Sequence, residues 1–143
     1  MKKTIKLIAL SLVLVMAIAM LASCGDKSGA IKSAFEKEDY EVTSVKYEDL
    51  SSGYQTIIET ILGKEAAENM ADYEIMTCKK VIPLAIVVKF PSENDIKSAL
   101  TVTDKDGNAS TAIYDELKED GAINGNCLIL TLTPGALEIF KNA

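Results

Sequence analysis

Leu50, Tyr54, Ile57, Ile58, Ile61 and Leu62 fall at three- and four-residue steps with Glu59 on the opposite side, the strongest helical period in the chain. Gly63 either closes that helix or kinks it before a further stretch over 64–70. Upstream, Ile31, Ala34 and Phe35 mark a short amphipathic helix that runs out into Glu36, Lys37, Glu38 and Asp39. The stretch 40–47 alternates instead, with Val42 on one side and Thr43, Val45 and Tyr47 on the other, as a strand does. Two more strands are predicted over 73–78 and 84–90, joined by a turn over 79–83. The second is apolar on both alternating sets (Leu84, Ile86, Val88; Ala85, Val87), which suits the middle of a sheet.

Ser92 and Asp95 have the spacing of a capping box at the head of a helix reaching Leu100. Asp104, Asp106, Gly107 and Asn108 carry turn chemistry, and a second helical piece covers 111–119. A polar, Gly-containing approach over 121–126 leads to a last strand, 127–132, with Leu128, Leu130 and Leu132 on one face. Thr133 is expected to cap, and Pro134 to open, a closing helix that buries Leu137 and Phe140. Setting the terminal helices aside, the order strand, helix, strand, strand, helix, strand predicts an α+β fold. It is the ferredoxin-like split βαβ sheet of four antiparallel strands, with additional N- and C-terminal helices. Right-handed crossovers then order the strands fourth, first, third, second, with both main helices on one face. Val45, Val87 and Ile129 are expected on the other, either covered by the terminal helices or open to a partner.

The first residues follow a different pattern. Lys2, Lys3 and Lys6 form a basic start, and 7–21 is uncharged and apolar apart from Ser11, too short for the ~20 residues of a spanning helix. The run ends in Leu21-Ala22-Ser23-Cys24. This stretch resembles the signal of bacterial lipoproteins, in which Leu, a small or polar residue, a small residue and an obligatory Cys follow an apolar segment. The resemblance extends over the first 24 residues; in style the chain is also similar to small uncharacterised lipoproteins of Gram-positive bacteria. It implies a signal peptide over 1–23, recognised by the lipoprotein signal peptidase through Leu21, Ala22 and Ser23. It also implies a diacylglycerol thioether on Cys24, and hence a protein held on the extracytoplasmic side of the cell membrane by lipid. Residues 24–29 then read as lipidated Cys and short tether, and 30–143 as a single α+β domain.

Without its leader the chain keeps about 119 residues, enough for one core and too few for two. All 15 basic residues are Lys, and losing Lys2, Lys3 and Lys6 takes the formal charge from −6 to −9. An acidic chain without Arg is a poor reader of nucleic acid, and it is held off an anionic lipid surface. The absence of His and Trp removes Ser-His-Asp and Cys-His nucleophile systems, His-containing zinc sites and Trp sugar platforms.

What remains is carboxylates and thiols. Asp104, Asp106, Asn108 and Asp115 match positions one, three, five and twelve of a calcium loop, but Ala109 stands where the sharp turn needs Gly. A solvated turn fits better. The pairs Glu48-Asp49, Asp115-Glu116 and Glu119-Asp120 could supply an acid and a base, though adjacent acids on an amphipathic helix are usually a solvated face. Cys78 and Cys127 invite a disulfide by compartment and parity, yet the expected strand order puts them at opposite edges, so they are predicted to be free thiols. The expectation is therefore a non-catalytic binding or interaction module of the cell envelope with no cofactor, no metal and an envelope protein as partner. The alternative is a small-solute or calcium binder serving a membrane partner.

Overall fold

The computed structural model describes residues 26–80 and 84–143. The leader, the Leu21-Ala22-Ser23-Cys24 motif and the turn residues 81–83 lie outside the described residues.

The described chain is α+β, with six helices and one antiparallel sheet of five strands plus a small separate hairpin. In order they are α1 (Ser28–Lys37), β1 (Glu41–Val45), α2 (Ser52–Leu62), α3 (Lys64–Glu68), β2 (Glu74–Lys79), β3 (Leu84–Lys89) and α4 (Glu93–Leu100). There follow β4 (Val102–Thr103), β5 (Ala109–Ser110), α5 (Ala112–Glu119), β6 (Ile123–Asn124), β7 (Cys127–Thr131) and α6 (Pro134–Lys141). Short 3-10 turns, Tyr47–Asp49 and Asn69–Asp72, follow β1 and precede β2.

Local signals act as their chemistry demands. The Ser92 hydroxyl accepts from the Asp95 amide at 3.3 Å and donates to its carboxylate at 2.6 Å, so Ser92 caps α4 and the Asp95 side chain reaches back to its hydroxyl rather than to its amide. Gly63 takes φ 79°, which ends α2 rather than kinking it. Pro134 does open α6, but Thr133 makes no cap; its hydroxyl lies 3.0 Å from that of Thr131 instead. The Asp104 turn sits at the tip of the β4–β5 hairpin, which was not expected.

The sheet order is β1-β2-β3-β7-β6, so the ferredoxin-like order of fourth, first, third, second is corrected to antiparallel neighbours throughout, a meander over β1, β2 and β3 with β7 next to β3 and β6 at the edge. The cause lies in the connections. A single helix returns the chain to the end of the sheet where the strand began and makes parallel strands, whereas two successive helices bring it back to the end it has just left. Gly63 splits the first connection into α2 and α3, and the 3-10 turns at its start and finish pack on one another. The second connection is likewise a pair, α4 with α5 packed together. β2 therefore returns beside β1, and the β6–β7 hairpin sets β7 beside β3 with the short β6 outside it at the edge.

Register sorts the side chains onto two faces. Val42, Met76, Cys78, Ala85, Val87, Cys127 and Ile129 share one. Val45, Ile75, Ile86, Val88, Leu128 and Leu130 share the other, so Val45 does not join Val87 and Ile129 as expected. The central strands are buried on both faces. On the first face, α1 is tied to Lys89 through Asp26, and α6 to Asn124, whose amide donates to the Phe140 carbonyl at 3.0 Å. The terminal helices, packed on each other, thus cover it, while α2 and α4 reach β7 from the other side. Among the described residues no helix is long and apolar enough to cross a membrane.

Candidate functional site

At the end of the sheet where β1 finishes and β2 begins, residues 44–49 and 71–74 line an open groove of about 670 Å³. The two turns that line it are anchored in the core by buried residues, Leu50 after one 3-10 turn and Met70 within the other. Gln55 on α2 fixes the first turn by donating to the carbonyls of Tyr47 and Leu50, each at 3.2 Å. Tyr73 is held by its ring against Phe90, centroid to centroid 4.2 Å.

The lining carries Glu48, Asp49, Asp72 and Glu74, one lysine, Lys46, and two tyrosines, Tyr47 and Tyr73. Burial, reinforced by the charges of Glu59 and Glu68, raises the Tyr47 hydroxyl above its ordinary range, so it stays a protonated donor. Carboxylates beside phenol rings attract and stack cationic groups.

Glu74 links the groove to a second cluster at the same end. Its carboxylate lies 3.9 Å from Lys89 Nζ, which pairs with Asp26 at 3.1 Å. Asp26 also accepts from the Ser28 amide and hydroxyl, at 2.9 and 2.7 Å, and from Asn126 Nδ2 at 3.4 Å. Asn126, the only buried polar residue among those described, donates to the Phe90 carbonyl at 2.8 Å and accepts from the Lys27 amide at 2.8 Å. The expected tether over 24–29 is corrected for its described part: Asp26 and Lys27 are bonded to the body, and Ser28 already opens α1. An Asn in a polar stretch before an apolar strand gave no sign of this role.

The Ser28 hydroxyl and amide, then Lys89 and Asn126, hold the Asp26 carboxyl well below the usual carboxylate range. A depressed folded-state value means that the contribution is complete above the unfolded value of 3.8 and is lost as pH falls below it. The start of α1 is therefore expected to fray selectively below about pH 4, read as faster exchange of the Ile31 amide, and Asp26→Asn should remove that pH dependence.

The other sequence candidates do not come together. Asp104 Oδ1 is occupied by the amides of Asp106 and Asn108, at 2.9 and 2.8 Å, within its own turn. Asp115 sits on α5 and accepts from the Thr111 hydroxyl at 3.0 Å. Among the described residues no group of three or more His, Cys, Asp or Glu is placed to hold a metal ion. Asp115, Glu116 and Glu119 on α5 and Asp120 just after it are exposed and do not line the groove at the sheet end, whereas Glu48 and Asp49 do.

Cys78 and Cys127 are both buried and free, as expected, but for a different geometric reason. Their strands are two apart, not three, and Cys78 aligns through Ala85 with Thr131, four residues from Cys127. That is about 10 Å across and about 13 Å along the sheet, beyond the ~7 Å a disulfide allows. Burial pushes both thiols up to about 12. Neither is expected to react with an aromatic disulfide reagent at pH 8 until the domain is unfolded in denaturant, when both should react at once.

Comparison with family models, curated proteins and solved structures found no match, so these residues are interpreted from their own geometry.

Proposed function

We propose that the protein is a lipoprotein held on the extracytoplasmic side of the cell membrane through Cys24, and that it is a non-catalytic binding module whose groove takes a cationic segment of an envelope partner. The observation that carries the binding role is the lining of a preformed groove by two tyrosines and by Glu48, Asp49, Asp72 and Glu74 against Lys46, with Glu74 also within 3.9 Å of Lys89. The leader pattern and Leu21-Ala22-Ser23-Cys24 support the anchor. Two acyl chains on one thioether hold a protein stably without any spanning helix. The acidic charge of the chain and its lack of Arg argue against a nucleic acid partner. A small cationic solute would use the same groove, whereas a calcium role for Asp104 competes with the hydrogen bonds of its own turn.

Labelled fatty acid is expected to enter the wild-type protein and to be absent from Cys24→Ala, which should leave the membrane fraction with its fold intact. In a titration with a lysine-rich peptide, Glu48→Lys combined with Asp72→Lys should weaken binding about tenfold or more, roughly 1.4 kcal/mol. Label in Cys24→Ala would remove the anchor, and unchanged peptide affinity in the double variant would remove the groove.

A further inference from the structure

Given the anchor proposed at Cys24, we infer that the domain is mounted on the bilayer in one orientation, with the sheet end that carries Asp26, Glu74 and Asn126 facing the lipid headgroups and the acidic groove opening at that level. Covalent reach and the fixed start of the fold lead to this. Asp26 is bonded to Ser28, Lys89 and Asn126, and the Lys27 amide to Asn126, so the body begins at Asp26. Only Gly25 stands between Asp26 and Cys24, a span of about 7 Å of backbone. A domain fixed within that distance of its lipid cannot swing its far end to the surface.

The same register that builds the sheet says which parts share this end. Glu74 at the start of β2 pairs with Lys89 at the end of β3, which pairs with Cys127 at the start of β7. Val45 at the end of β1 pairs with Ile75, so the groove that follows β1 lies at this end too. Lys79, five residues on from Glu74, closes the opposite end with Glu41. The link, rather than charge attraction, sets the orientation, because an acidic surface is repelled by anionic headgroups. Whatever the groove binds is then presented at the bilayer surface, not free in the surrounding fluid.

The test uses the full lipid-bearing protein in phosphatidylglycerol vesicles doped with a headgroup-nitroxide lipid. Because Cys78 and Cys127 are buried, a single fluorophore can be placed on Asp72→Cys at the groove or on Lys79→Cys at the other end; both positions are exposed. Loss of most emission is expected from the label at position 72, with emission retained at position 79. Inserting about 10 Gly and Ser residues after Gly25, a link of roughly 17 Å, should abolish the difference. Equal quenching at both positions without the insertion, or stronger quenching at 79, would overturn the orientation alone. Absence of labelled fatty acid from the protein would overturn the anchor and the orientation together.

Discussion

Val87→Asp should leave no cooperatively folding domain. Val87 lies at the centre of β3, fully buried between its register partners Met76 and Ile129 and beneath the terminal helices. The nearest cation in its row, Lys89, is engaged by Asp26 and Glu74. A carboxyl group placed there would have to be neutral and unpartnered, at about 2–7 kcal/mol, in addition to the lost valine packing. Whole domains are stable by only about 5–15 kcal/mol. Circular dichroism during urea titration should show no cooperative transition. Ile86→Ala, on the opposite face, should keep the transition and lower stability by about 2–5 kcal/mol. A Val87→Asp protein that melts like wild type would mean that α1 and α6 do not cover this face.

The second large effect concerns Asn126→Ala. This change removes the donor to the buried Phe90 carbonyl, the acceptor of the Lys27 amide and the contact with Asp26, while the Phe90 amide keeps its backbone bond to residue 126. An unsatisfied buried carbonyl costs about 1–3 kcal/mol, and the partly solvated Lys27 bond about 1. The loss should be about 2–4 kcal/mol, a fall in melting temperature of roughly 10 °C or more. Exchange at the Ile31 amide should rise more than in the sheet, because α1 is freed at its start. Uniform acceleration through the sheet would show that Asn126 does not act on α1 in particular.

Much of the fold could be read from hydrophobic period and capping chemistry, because those signals are local. The 50–62 helix, the doubly apolar β3, the Ser92 cap and the Pro134 start all depend on residues within one or two turns of each other. Sheet order is not local. Whether a connection makes one traverse or two decides between parallel and antiparallel neighbours, and that depended on Gly63 closing a helix and on α5 packing back on α4. The site was less legible still. Glu48 and Asp49 were visible as an acidic pair, but Asp72 and Glu74 join them only because the meander returns β2 beside β1. The cluster around Asn126 joins residues 99 positions apart, and no spacing rule reaches that far.

That separation also governs the timing of assembly. A chain that emerges N-terminus first, as it would across the membrane, presents α1 well before Asn126 follows it. Ile31 and Phe35, buried in the finished domain, have neither Asn126 nor the Phe140 helix to close over them in the interval. The β2–β3 hairpin can pair early because its contacts are near in sequence, whereas β1 waits for a partner 30 to 38 residues on and α1 must wait for the last strand and helix. The first helix of the domain is thus locked last, and a chain truncated before Asn126 would leave it without a dock.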